Sequence, residues 1–270
     1  MIREITIGQY YQADSVLHRL DPRVKLIATI IYIVSLFLYR EPVPFLLAGI
    51  FLAVCVLLSK VPFFYIVRGL KTIVILMLIT AVFNMFLTPG ETMVTFWKLT
   101  ITKEGLKAAI YMAIRLVMLI IGSSLMTLTT TPTQLTDAME QLMRPLQKIK
   151  VPVHEIAMMM SIALRFIPIL LEETDKIMKA QMARGADFES GNVVKRIKAM
   201  VPILVPLFIS AFRRANDLAM AMEARCYQGG VGRTKMKPLK YHLRDTASYL
   251  VLIAYLVLVV VTGKFLELPL

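Results

Sequence analysis

Long blocks of almost uninterrupted apolar residues alternate along this chain with segments in which apolar and polar residues recur every three or four positions. The blocks fall at 26–39, 43–58, 72–87, 108–128 and 247–261, each bounded by charge, proline or glycine. Because a helix needs roughly 20 apolar residues to cross the hydrocarbon layer, five spanning helices are expected. The shorter blocks must recruit flanking residues or thin the local bilayer.

The second kind of pattern dominates the segment between the fourth and fifth blocks. Within 153–184, Ile156, Met159, Met160, Ala163, Phe166, Ile167, Leu170, Ile177 and Met178 follow helical spacing and define one apolar face. Val193, Ile197, Met200, Leu204, Leu207, Phe208, Ala211, Leu218 and Met222 do the same. Each predicts a helix about 45 to 50 Å long at 1.5 Å per residue. Pro168, Pro202 and Pro206 fall inside them, where a missing donor and a ring clash either kink or break a helix. The periodicity continues across all three, which favours kinks. A shorter amphipathic helix is expected over 134–149, after Thr131-Pro132-Thr133, where a hydroxyl cap and the fixed φ of proline suit a helix start.

Charge sharpens the division. Of 31 Lys and Arg residues against 18 Asp and Glu, eighteen basic residues lie in 129–246. A formal charge of +13 suits nucleic acid, anionic lipid or an acidic protein partner, but membrane-length apolar runs and a 57% hydrophobic composition make nucleic acid an unsuitable partner. Lysine and arginine in the short connections set orientation. Arg3, Arg19, Arg23 and Lys25 precede the first block, and Lys60, Arg68 and Lys71 occupy the second connection. Arg40 stands alone in the first connection and Lys264 alone in the tail. The N-terminus is therefore expected in the cytoplasm and the C-terminus outside. The 88–107 loop also carries three basic residues, balanced by Glu91, Glu104 and an interfacial Trp97. The expected architecture is an all-α integral membrane protein of about five transmembrane helices plus three amphipathic cytoplasmic coupling helices. Its division is a membrane domain at 1–128, a cytoplasmic or interfacial coupling domain at 129–246, and a final spanning helix at 247–270. The basic Arg19, Arg23 and Lys25 before the first block, with no small-residue cleavage site after it, mark that block as an anchor.

The two long amphipathic helices end alike, in Ala183-Arg184-Gly185 and Ala224-Arg225-Cys226. A basic residue in the last turn is favoured by the helix dipole, and a glycine just beyond suits a left-handed cap, so each end has a purely structural explanation. Their recurrence 41 residues apart suggests more, because a guanidinium forks onto carboxylates more specifically than an ammonium can.

The run Ser15-Val16-Leu17-His18-Arg19-Leu20-Asp21-Pro22-Arg23-Val24-Lys25-Leu26, together with Leu164-Arg165-Phe166-Ile167-Pro168 and the paired Ala-Arg ends, resembles the transmembrane T component of energy-coupling factor (ECF) transporters. These are ABC-type prokaryotic importers of vitamins and transition metals. The resemblance covers nearly the whole chain. It implies a non-catalytic scaffold in a prokaryotic plasma membrane, with Ala183, Arg184, Gly185, Ala224, Arg225 and Cys226 docking onto two ATP-binding subunits. A substrate-binding membrane subunit completes the complex. ATP and Mg would bind the partner subunits and no cofactor this chain. Cys226 departs from the glycine of the family pattern, so the arginine role transfers more securely than the shape of the helix end. Vitamin uptake is preferred over cobalt or nickel.

Other features fit that reading without requiring it. The chain has no GxxxxGK[ST] phosphate loop, and Gly229-Gly230-Val231-Gly232-Arg233 lacks its spacing. His18, His154 and His242 are too dispersed for a metal site, and Cys55 and Cys226 build no disulfide framework or metal pair. Eight methionines on the long helices, Met158, Met159, Met160, Met178, Met182, Met200, Met220 and Met222, offer a soft surface that would suit exchangeable substrate-binding partners. They serve equally as ordinary helix-packing residues. Arg115, seven residues into the fourth block, is expected to snorkel or pair. Glu172, Glu173 and Asp175 are expected to pair with Lys176 and Lys179 on a solvated face. A self-contained ion-coupled secondary transporter is the alternative function, and it calls for inverted repeats and broken mid-membrane helices. A membrane-embedded enzyme would need a cluster of catalytic side chains.

Overall fold

The structure, a computed structural model, describes residues 10–38, 41–96, 99–188, 192–230, 236 and 238–267. Arg3, Arg40, Trp97 and residues 231–233 lie outside them. Among the described residues the order of elements is α1 (Pro22–Leu38), α2 (Pro42–Ser59), α3 (Phe63–Leu87), β1 (Thr92–Phe96), β2 (Leu99–Thr102), α4 (Lys103–Thr129) and α5 (Pro132–Met143). A 3-10 turn at Arg144–Ile149, α6 (Val153–Ala183), α7 (Val193–Ala224) and α8 (Leu243–Glu267) complete it.

Prolines set most of the helix starts. Pro22, Pro42 and Pro132 open their helices, and Pro62 and Pro152 immediately precede theirs, because a residue without an N–H loses nothing where no carbonyl is available. Lys60 and Lys150 close helical segments in left-handed conformations, at φ 54° and 62°. The α-helical architecture expected from the sequence is present, with three departures. α3 begins at Phe63, so Arg68 and Lys71 belong to its first turns and the second connection is only residues 60–62; no proline stands between Pro62 and Leu87, and Gly69 alone does not stop the helix. The 88–107 loop contains an antiparallel hairpin that pairs Thr92 with Thr102 and Phe96 with Leu99. The 134–149 helix ends at Met143, because Pro145 cannot donate and the backbone tightens into the 3-10 turn. Its start is the expected one: Gln134 N–H donates to Thr131 Oγ1 and Thr131 N–H to Gln134 Oε1, a reciprocal cap.

Among the described residues four helices are long and apolar enough to cross a membrane: α2, α4, α6 and the Leu243–Lys264 part of α8. A shorter apolar stretch, Ile73–Phe86, lies in α3, and α1 is 17 residues long. No more than 28% of any of the four windows is buried within the chain, so most of their apolar surface is left for lipid or other subunits. α6 meets the length criterion although its pattern is amphipathic.

Contacts divide the described chain into two compact units, one formed by the residues up to Ala138 together with those from Leu239 onward, the other by the residues between them. The first has its core where α1, α2, α4 and α8 meet, around Tyr32, Leu36, Leu52, Met118 and Tyr255. Gly122 permits this approach: a β-carbon there would lie 2.8 Å from Tyr32 Cε1. Tyr255 and Ser35 hydroxyls share a hydrogen bond of 2.7 Å, and Phe51 stacks on Tyr255 at 4.4 Å. Such interhelical contacts hold helices together where lipid removes any hydrophobic drive between them.

The N-terminal run belongs to a polar network at the ends of these helices. Asp21 caps α1, accepting from the Arg23 N–H at 2.8 Å, and its other oxygen takes the Arg23 guanidinium at 2.7 Å. Asp245, 1% exposed in the first turn of α8, accepts the Asp21 N–H at 2.9 Å and the His242 N–H at 2.8 Å. Arg23 lies over the Tyr241 ring at 3.7 Å. Lys25 Nζ donates to the Thr129 carbonyl at 2.8 Å, reaching the end of α4. His18 bonds Ser15 Oγ and the Tyr11 carbonyl, and burial holds its imidazole below its ordinary range. Replacing Asp245 by Ala orphans two backbone donors and should destabilise the chain by about 3 kcal/mol. Asp245→Asn keeps one acceptor and should cost less; thermal unfolding in detergent measures both.

Candidate functional site

Everything singled out as a site lies in the second unit, and its frame is the pair α6 and α7. Both helices run unbroken across their prolines. Glu173 on α6 accepts from Ser210 Oγ at 2.6 Å and from Arg214 Nη2 at 2.9 Å on α7. The pairing with Lys176 and Lys179 expected for this acidic group is therefore not the one Glu173 makes, since Arg214 on the neighbouring helix offers a fork of donors. From that contact an apolar cleft extends back along α6 through Leu170, Phe166 and Ile162 and forward along α7 through Ala215, Leu218 and Met222. The two helices therefore run antiparallel. Alanines 211, 215 and 219 present a small-residue stripe on the α7 side. The antiparallel sense recurs at the far end, where the chain beyond α7 crosses the start of α6: a β-carbon at Gly230 would lie 2.5 Å from the His154 ring. His154 Nδ1 is in turn 3.0 Å from Glu140 Oε1.

The two Ala-Arg ends have one and the same geometry. At the end of α6, Ala186 N–H donates to the Gln181 carbonyl and Gly185 N–H to that of Met182, both at 3.0 Å. At the end of α7, Tyr227 N–H donates to Met222 at 3.0 Å and Cys226 N–H to Glu223 at 2.9 Å. Each is a Schellman cap with arginine as the last half-helical residue and a left-handed residue after it. Gly185 takes φ 89° and Cys226 takes φ 56°. Cys226 thus adopts the conformation that glycine adopts at the other end, although an L side chain there costs about 1–2 kcal/mol. The departure from the glycine pattern leaves the helix end unchanged in shape.

Ala183, Arg184, Gly185, Ala224, Arg225 and Cys226 are all exposed. Among the described residues neither Arg184 nor Arg225 has a carboxylate partner. Glu173 and Arg214 are themselves 41 residues apart, the spacing of the two Ala-Arg ends. Arg184 stands eleven residues beyond Glu173 and Arg225 eleven beyond Arg214. Each arginine is therefore about 17 Å from the Glu173–Arg214 contact, in opposite directions along an antiparallel pair. The structure does not bring the two arginines together; it holds them at opposite ends of the antiparallel α6–α7 pair.

The sequence places this helix pair in a known setting. The profile of the family described as "Cobalt transport protein" (CbiQ) matches residues 13–237. The "Energy-coupling factor transporter transmembrane protein EcfT" of Clostridium kluyveri is 60% identical over 247 residues, covering 91% of this chain and 92% of that one. The proteins of that name from Acidaminococcus fermentans and Bacillus subtilis are 52% and 50% identical, over 96% and 94% of this chain and 96% of each relative. The chain belongs to the family of ECF transporter transmembrane proteins. It is a multi-pass membrane subunit of such a transporter, the T component.

Of the other candidates in this T component, Arg115 lies inside α4 with its guanidinium carbon 5.4 Å from the Phe37 ring and 5.7 Å from that of Phe45. Aromatic faces thus surround its charge. Met159, Met182, Met200 and Met220 are half or more exposed on α6 and α7. Cys55 sits half-buried in α2 and Cys226 is exposed. Among the described residues no group of three or more His, Cys, Asp or Glu could hold a metal ion. Sequence reasoning missed Glu173–Arg214, Glu140–His154 and Asp245, all of them pairings across helices with no local signature. The 41-residue repeat, extended eleven residues further back, would have found the first. Replacing Cys226 by Gly should relieve the left-handed strain and stabilise the helix end by about 1 kcal/mol, whereas Cys226→Val should weaken it; thermal unfolding and retention of partner subunits check the pair.

Proposed function

We propose that this T component is the non-catalytic scaffold of the importer. Arg184 and Arg225 dock onto two ATP-binding subunits, and the α6–α7 lever passes their closure to a substrate-binding membrane subunit. The observation that carries the reading is the duplicated helix end: two exposed guanidiniums with no carboxylate partner among the described residues, on identical caps, about 17 Å to either side of one ion pair. A rigid cap fixes the direction of the last turn, and a planar fork of donors suits a carboxylate in a groove. Two equivalent ends call for two equivalent receivers. ATP and Mg belong to those receivers.

When the receivers close on ATP, the ends are drawn with them, and a helix of about 46 Å carries the displacement with little loss. The exposed methionines and other apolar residues of α6 and α7 supply a surface for the substrate-binding subunit, soft enough to serve more than one. Cargo recognition lies in that subunit. A vitamin is the cargo we favour, and the family's description, which names cobalt, marks the metal ion as its competitor.

The test replaces Arg184 and Arg225 together by Ala. The double variant should insert and unfold as the parent does, lose both ATP-binding subunits on purification, and lose ATP-driven uptake in proteoliposomes. Uptake by the variant at the parental rate, or transport by the chain alone under an ion gradient without ATP, would defeat the reading.

A further inference from the structure

The bundle of α1, α2, α4 and α8 contains a groove of about 720 Å³ lined almost entirely by apolar side chains. Along α8 its wall runs from Arg244 to Leu258, about 21 Å of helix. The hydrocarbon of one leaflet, half of a 30 Å core, is about 15 Å deep. The groove is therefore long enough to take a lipid chain along its full depth. Its two ends differ in chemistry. Arg244 and Lys25 stand at the end where α1 and α8 begin, while Tyr32, Leu47 and Leu258 line the other.

Arg244 is the accessible charge at the mouth. Asp245, the acid next to Arg244, is turned into the helix-end network, where it accepts from Asp21 and His242. Asp21 is engaged with Arg23. Lys25, itself buried, donates from Nζ to the Thr129 and His18 carbonyls and lies in the field of Asp21 and Asp245. Arg244 is exposed, and among the described residues no carboxylate pairs with it. An apolar slot of leaflet depth with a cationic rim is complementary to one amphiphile class: an apolar chain carrying an anionic head.

We propose that this groove binds one anionic phospholipid, with an acyl chain along α8 and the phosphate against Arg244. The site is separate from the α6–α7 lever and does not depend on the docking role given to Arg184 and Arg225. Its test is titration of the purified full chain with phosphatidylglycerol or phosphatidylcholine of identical chains, read by native mass spectrometry. One phosphatidylglycerol should bind in preference to phosphatidylcholine. Arg244→Ala should weaken phosphatidylglycerol about fivefold, the effect of one cation at an anionic surface, and Arg244→Lys should retain it. Ala254→Trp, at an exposed position lining the groove, should reduce binding of both lipids while circular dichroism stays unchanged. Equal binding of the two lipids by the parent, or an unchanged phosphatidylglycerol affinity in Arg244→Ala, overturns the proposal. So does loss of the lipid from the assembled transporter with Val251→Cys cross-linking to the substrate-binding subunit, which would give the groove to protein.

Discussion

An α-helix satisfies its own backbone everywhere except in its first and last turns, where four N–H and four C=O groups have no internal partner. In a chain built of apolar helices this constraint is severe, because lipid supplies no substitute. The specific chemistry of this protein is concentrated at those ends. Asp21 and Asp245 satisfy the starts of α1 and α8, and Lys25 takes the last carbonyl of α4. Thr131 and Gln134 close the start of α5. Arg184 and Arg225, the arginines proposed to dock, occupy the two Schellman ends of α6 and α7. Helix interiors supply length, packing and a lipid-facing surface; helix ends supply identity.

That distribution explains what could be read from the sequence. α6 and α7 were legible almost to the residue, because a 3.6-residue period across thirty positions is strong enough to carry through Pro168, Pro202 and Pro206. The α5 start was legible from three residues. The Ala-Arg ends were legible as a repeat, though not as a shared cap, since nothing local says that Cys226 takes the place of a glycine. Asp245 was invisible, because its meaning lies in the Asp21 N–H, 224 residues away. Glu173 was misassigned for a related reason: Lys176 and Lys179 are near in sequence, whereas Arg214 is near only once α7 folds back. The hairpin was missed because its described strands are only five and four residues long, too short for a period-two pattern to stand out.

The α6–α7 pair is not held together by its ion pair. Glu173 and Arg214 are a quarter and two-fifths exposed, and a surface pair of that kind contributes at most about 1 kcal/mol. What the contact supplies is register. The alanine stripe at 211, 215 and 219 lets the backbones approach, and Glu173 with Ser210 and Arg214 fixes which turn faces which. A weak but specific pivot between two stiff arms suits the transmitting role proposed for it: the arms resist bending, while the crossing can yield by a few degrees without unpacking a large core.

The proposed docking of both helix ends also changes how affinity accrues. A single arginine fork at an exposed helix end is a modest anchor, and each alone would be occupied only part of the time. Once one end is seated, the second faces its receiver at an effective concentration set by the lever rather than by the solution, and the pair can exceed either affinity by orders of magnitude without a new contact. The gain depends on stiffness and on the ends matching the receivers' spacing. It therefore falls as much on Gly185, Cys226 and the Glu173–Arg214 register as on the guanidiniums. On the proposed reading, a pair whose caps or crossing are loosened would keep both arginines and still lose the joint grip on two ATP-binding subunits.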